Sequence, residues 1–300
     1  MLLAFDRRLL GALALVVACS ATNANFDDDD SPTSTSTNGS GGGLTVGVGG
    51  STSSGPPGDC SEENKDIYVV SASYELQRFA PQSLMFTPIG VLQCPAGGAT
   101  PFSMAVDRQG LAYVLYSDGR IFHVSTQDAS CMATSFQPNQ AFGYELFGMG
   151  FVSDAVNSSE ETLFVGAYGG VGIGRIDTQS MVLTTLGTYD TVTGAAEITG
   201  TGDGRLYGFF ESGNDVVAQI DKTNSHILQT YHPTVEIGDA WAFAFWGGSF
   251  YLFTNPNLAG SSQVDRFDPM TNTTTTVVPS VGYRIVGAGV STCAPLVPPE

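Results

Sequence analysis

Apolar and polar positions along this chain fall into a motif that recurs five times. An aromatic residue lies inside a short apolar run in DIYVVSA (66–72), GLAYVLY (110–116), ETLFVGAY (161–168), GRLYGFF (204–210) and GSFYLFT (248–254). The markers Tyr68, Tyr113, Phe164, Tyr207 and Tyr251 recur every ~43–51 residues, the period of multi-stranded propeller blades. A second strand follows each marker and ends in turn chemistry, as in ELQRFAPQS (75–83), RIFHVSTQD (120–128), GIGRIDTQS (172–180), VVAQIDKTNS (216–225) and QVDRFDPMTN (263–272). Short polar side chains bond their own backbone at such turns. A third strand, as in MFTPIGVL (85–92), MVLTTLGTY (181–189) and TTTTVV (273–278), has the Thr/Val character of an exposed outer strand.

A different kind of segment precedes the markers: FSMAVDRQG (102–110), FGMGFVSD (147–154), EITGTGDG (197–204), WAFAFWGG (241–248) and, with no marker after it, RIVGAGVS (284–291). Small residues here suit strands crowded round a central axis. The first repeat has no such strand before Asp66, and the last has one to spare. The pattern therefore predicts an all-β chain: a five-bladed β-propeller over residues 60–295, closed by a C-terminal inner strand that completes the first blade. Residues 296–300 form a tail. An open sandwich or solenoid would leave both the missing strand and the spare one unexplained.

The N-terminal segment reads differently. Arg7 and Arg8 precede an apolar run, Leu9 to Ala18, too short for the ~20 residues that span a bilayer. Residues 1–18 thus have the anatomy of a secretory signal peptide. Val16-Val17-Ala18-Cys19 resembles a bacterial lipobox, so Cys19 is expected to be acylated as the new N-terminus. Ser20, with no Asp directly after the cysteine, points to the outer membrane. Residues 19–59, rich in Gly, Ser, Thr and Asp, read as a disordered tether. Asp27–Asp30 read as solvated charge rather than a calcium site.

Composition adds two constraints. With 29 acidic against 11 basic residues, the net charge of −18 argues against nucleic acid as a partner. Beyond Cys19 there are four cysteines, an even number that fits two disulfides in an exported chain, with three possible pairings. Cys60 and Cys293 bracket the repeats, and Cys94 and Cys131 lie in neighbouring repeats, so the expected pairs are Cys60–Cys293 and Cys94–Cys131.

The phrases DIYVVSASYELQRF, CPAGGATPFSMAVDRQG, LYSDGRIF, FGMGFVSD, IGRIDT, LYGFF, WAFAFWGGSFYLFT and VGAGVSTCAP, together with the lipobox and tether, resemble uncharacterised lipoproteins of myxobacteria and related bacteria. The resemblance spans most of the chain. It implies a surface lipoprotein of β-propeller type and brings no established activity.

No metalloprotease, hydrolase, nucleotide-binding or EF-hand motif occurs. GGVGIG (169–174) joins two strands and reads as a hairpin. His123 reads as a packing residue, and His226 and His232 as flanks of an outer strand. No cofactor or metal is expected. A propeller binds ligands where its inner strands begin, which nominates Phe102, Glu145, Phe147, Glu197, Asp239, Trp241 and Arg284. Aromatic faces and carboxylates there suit a sugar or small ligand. The plain alternative is that the aromatics pack between blades and the acids are solvated. The expected role is a membrane-anchored, extracytoplasmic, monomeric binding or scaffold module whose partner is a glycan or another envelope protein. The alternative is a propeller hydrolase or lyase acting on glycans, with Glu145 and Glu197 as acid and base.

Overall fold

The computed structural model describes residues 60–211, 215–256 and 260–300. The expected signal peptide, lipidation site and tether lie outside these residues. The propeller is present as expected: five four-stranded antiparallel sheets. Blade two contains β4 (Pro101–Val106), β5 (Leu111–Tyr116), β6 (Ile121–Ser125) and β7 (Cys131–Ala133). Blade three contains β8 (Phe147–Ser153), β9 (Glu161–Ala167), β10 (Ile173–Asp177) and β11 (Val182–Thr185). Blade four contains β12 (Ala195–Gly200), β13 (Leu206–Glu211), β14 (Val216–Ile220) and β15 (Ile227–Tyr231). Blade five contains β16 (Trp241–Trp246), β17 (Ser249–Thr254), β18 (Gln263–Asp268) and β19 (Thr273–Val278). Blade one is assembled from both ends of this region. Its β1 (Ile67–Ser71), β2 (Glu75–Ala80) and β3 (Met85–Val91) are completed by β20 (Ile285–Val290) in the order β20-β1-β2-β3.

The clasp is antiparallel, with Ile67 opposite Val290, Tyr68 opposite Gly289, Val69 opposite Ala288 and Val70 opposite Gly287. Cys60–Cys293 and Cys94–Cys131 are both bonded, which selects one of the three pairings. The first bridge closes a loop of sequence separation 233 beside the clasp. Further ties converge there. Trp246 Nε1 donates to the Lys65 carbonyl at 2.8 Å, joining blade five to the entry of blade one, and Ser291 Oγ donates to the Asn64 carbonyl at 2.5 Å.

The marker strands do not alternate apolar and polar residues, because both of their faces are buried. Ile67 and Val69 of β1 join a cluster with Ala242, Ala244 and Phe253 of blade five. Their neighbours Tyr68 and Val70 join one with Met104, Ala112 and Val114 of blade two. In β13, Leu206 and Phe210 pack towards blade three, while Tyr207 and Phe209 pack towards blade five. Successive side chains point to opposite faces of a sheet. A stack of sheets therefore needs apolar residues at every position of its middle strands. Five such clusters result, one between each pair of adjacent blades. Phe79, Phe209, Phe253 and Phe267 are each fully buried in them, at roughly 1.5–3 kcal/mol of transfer free energy apiece. The outer strands β3, β11, β15 and β19 are mostly solvated.

At the axis the inner strands nearly touch. A Cβ added to Gly148 of β8 would meet the Ala196 carbonyl oxygen and stand 2.5 Å from Glu197 Cα of β12. Glycine here reflects backbone proximity rather than turn formation. GGVGIG is the expected hairpin, with Gly170 N–H on the Ala167 carbonyl at 2.9 Å. His123 lies in β6 with its ring edge-on to Tyr113 at 4.5 Å, as a packing residue does, and burial lowers its pKa. His226 and His232 flank β15.

Candidate functional site

Where the inner strands begin, the ring opens into a cavity of about 170 Å3. Its wall contains Phe102 from β4, Tyr168 just after β9, Glu197 from β12, Trp241 at the start of β16 with Asp239 just before it, and Val286 from β20 with Arg284 just before that strand. Every blade contributes. Five of the seven nominated residues thus meet: Phe102, Glu197, Asp239, Trp241 and Arg284.

Two do not line it. Phe147 is fully buried in the cluster between blades two and three, with the Phe136 ring 5.8 Å away. Glu145 lies in the loop before β8, where its carboxylate accepts the Gly143 amide at 3.3 Å. Tyr168 was not nominated, yet it organises the aromatic wall. It stacks on Trp241 at 5.4 Å and 22° and receives Phe102 edge-on at 4.9 Å. Its position at the end of the run ETLFVGAY is the signal that could have found it, since a marker strand ends where its inner partner begins.

Trp241 has a double role. Only 6 % exposed, it packs in the cluster between blades four and five, and it also walls the cavity. Its indole N–H is buried without a hydrogen-bond partner.

Glu197 is the third residue of β12, one level below the rim, and is 3 % exposed. Ser103, third in β4, donates its hydroxyl to Glu197 Oε2 at 2.9 Å and accepts the Met149 amide at 3.2 Å. Three blades are linked through that hydroxyl. Burial pushes the Glu197 carboxyl well above the usual range, against the opposing effect of the Ser103 hydrogen bond. Asp239 and Arg284 form an ion pair at the rim, at 2.8 Å. The other Asp239 oxygen accepts from the Asn255 amide. Asn255 also fixes the preceding loop through its N–H to the Ile237 carbonyl at 2.9 Å. Gly238, at φ +77°, lies against the Asn255 carbonyl with no space for a side chain.

A second carboxyl, half-buried and not singled out in the sequence, lies at the far end of the ring. Glu161 accepts from the Arg108 amide at 2.8 Å and from Thr292 Oγ1 at 2.7 Å. Burial pushes it up to about 7. Arg108 and Thr292 adjoin the Cys60–Cys293 bridge, so this group belongs to the lock at the base.

Among the described residues there is no cluster of His, Cys, Asp or Glu arranged to hold a metal ion. Nor, among the described residues, is any helix long and apolar enough to cross a membrane.

No protein-family model and no curated protein matches this chain. Among solved structures, it is similar to one described as the extracellular domain of a hybrid two component system from B. thetaiotaomicron. That match has 15% identity, covers 74% of this chain and 30% of the other, and has a TM-score of 0.40. A second match is to a calcium-binding protein, regucalcin, from Agrobacterium tumefaciens, with 12% identity, 65% and 66% coverage, and a TM-score of 0.42. The matched part thus spans less than a third of the first protein and just under two thirds of the second.

Proposed function

We propose that this chain is a lipid-anchored, extracytoplasmic protein whose propeller captures a ligand at the channel mouth without turning it over. The observation that carries the reading is the convergence of all five blades on one small cavity with an aromatic wall and a buried carboxyl. The lipobox ending at Cys19 and the resemblance to myxobacterial lipoproteins support the anchor.

Turnover of a glycan by paired carboxyls finds less support. Glu145 is outside the cavity, and both oxygens of Asp239 are engaged. A general base and acid must both reach the scissile bond.

Two measurements test the proposal. Intact mass of the membrane-extracted chain is expected to show Cys19 acylated and residues 1–18 removed; an unacylated terminus elsewhere overturns the anchor. For the mouth, a panel of sugars, amino acids and amines can be screened by tryptophan fluorescence and thermal shift. Trp241→Ala would confuse loss of packing with loss of binding, so Tyr168→Ala is the better probe. It is expected to weaken any ligand found by about 2 kcal/mol, as loss of an aromatic anchor does. Binding untouched by Tyr168→Ala, or glycan cleavage that disappears in Glu197→Gln, overturns capture at this mouth.

A further inference from the structure

We infer that the mouth cavity is selective for a small quaternary ammonium ion, of choline size or less. This rests on the mouth being the binding site, and it goes further by naming the chemistry of the ligand.

The first ground is the wall. Phe102, Tyr168 and Trp241 form a continuous aromatic surface, with contacts of 4.9 and 5.4 Å between successive rings. Aromatic faces carry negative quadrupole charge, and such walls attract cations, above all those that shed water easily.

The second is charge. Arg284 is neutralised by Asp239 at 2.8 Å. The carboxyl left over is Glu197, deep in the cavity and held on one oxygen only, by Ser103. The surplus around the cavity is therefore negative once Glu197 ionises. This disfavours an anion.

The third ground separates quaternary ammonium from a primary amine. A primary ammonium carries three N–H donors and is strongly hydrated, so it loses more than a methylated one on moving against an aromatic wall. Asp239 has given one oxygen to Asn255 and the other to Arg284, and Glu197 has given Oε2 to Ser103. Of the carboxylate oxygens in the wall, Glu197 Oε1 is the one without a hydrogen bond. A quaternary ammonium, such as that of choline, has no N–H to satisfy and needs only the charge and the rings. The volume agrees. About 170 Å3 lies below the ~300–1,000 Å3 of sites for drug-sized ligands and accommodates a compact ion.

The pH dependence has a definite sign. A cation prefers ionised Glu197, and burial holds that carboxyl protonated well above its usual range. Binding therefore expels a proton, and affinity rises with pH until the free protein's Glu197 is ionised. The elements packed against Glu197 bring few other charges. None of β4, β8, β16 and β20 carries a titratable residue. Asp239 and Arg284 stand at the rim, Tyr168 follows β9 while Glu161 begins it at the far end of the ring, and Tyr207 and Glu211 lie on β13. Burial raises Tyr168, so it stays neutral across the range concerned.

The test is calorimetry on the full-length chain with four probes: choline, ethanolamine, acetate and glucose, between pH 5 and 8. Choline is expected to bind at least tenfold more tightly than ethanolamine and at least tenfold more tightly at pH 8 than at pH 5. Glu197→Gln, which keeps the shape and the Ser103 contact, is expected to abolish that pH dependence and cost at least tenfold. Tyr168→Ala is expected to cost a similar factor while the chain still melts cooperatively. Glucose or acetate binding that Tyr168→Ala removes, with choline inert, overturns the ammonium inference and leaves the mouth as the site. Choline binding that survives both substitutions overturns the inference and the mouth together. No binding of any probe overturns the inference.

Discussion

A chain ending at Tyr283 is expected to lose cooperative folding altogether. The truncation removes β20, and with it the backbone partners of Ile67 to Ser71. Those amides and carbonyls would face the axis as an open sheet edge, where unpaired polar groups cost about 1–3 kcal/mol each when buried. It also removes Ile285, Ala288, Val290 and Ala294 from the cluster between blades five and one. Finally it removes Cys293, and losing such a bridge costs about 2–5 kcal/mol. Together these match or exceed the roughly 5–15 kcal/mol that holds a whole domain folded. The control ends after Pro295, which keeps β20, Cys293 and the Pro295 carbonyl that accepts the Gly247 amide. Circular dichroism melts decide the matter: a Tyr283 truncation that unfolds in one step at the full-length temperature would refute closure by the clasp.

The next largest effect is expected from adding one side chain at the axis. Gly148→Val should destabilise by about 4 kcal/mol or more, seen as a fall in Tm of roughly 10 °C or more. The atoms in its way are backbone atoms of Ala196 and Glu197, which cannot rotate aside. Relief requires β8 and β12 to separate, which also disturbs the Met149, Ser103 and Glu197 hydrogen bonds beside them. Gly260→Ala is the matched control, since nothing lies within 4 Å of its added carbon. It is expected to move stability by less than about 0.5 kcal/mol. If Gly148→Val melts with the parent protein, the strands are farther apart than described.

Much of this architecture was legible in the sequence, for a physical reason. Middle strands buried on both faces must be apolar throughout, so DIYVVSA and GSFYLFT are conspicuous wherever they occur. Inner strands must be small-residue strands, so FGMGFVSD and RIVGAGVS are equally conspicuous, and the unpaired one at the end implies the clasp. Clasp and repeat order together selected both disulfides.

The cavity was less legible. Knowing where a strand starts gives height along the axis but not the direction of each side chain, and a shift of one residue turns a side chain to the opposite face. Phe147 stands at the right height and points into the seam between blades two and three. Glu197 was nominated as a strand start but is the third residue of β12, which explains its depth and its shifted proton affinity. Tyr168 belongs to the end of a neighbouring strand and reaches the mouth only through the antiparallel pairing of β8 and β9. That reach follows from three-dimensional register, and no local pattern announces it.

The bridge at the base of the clasp bears on how the protein carries tension. A pull on the chain ahead of Cys60 divides at that residue, one path running into β1 and the other crossing the sulfurs to Cys293 at the end of β20. Because β1 and β20 run antiparallel, these are neighbouring ends of the two strands, where Ile67 faces Val290. Both strands are then dragged together, and the ladder between them feels almost no sliding or peeling force. With the sulfurs reduced, the same pull would act on β1 alone and open the ladder one rung at a time, starting from Ile67. Oxidation thus turns the seam where the two ends of the closed ring meet into the joint that carries the pull.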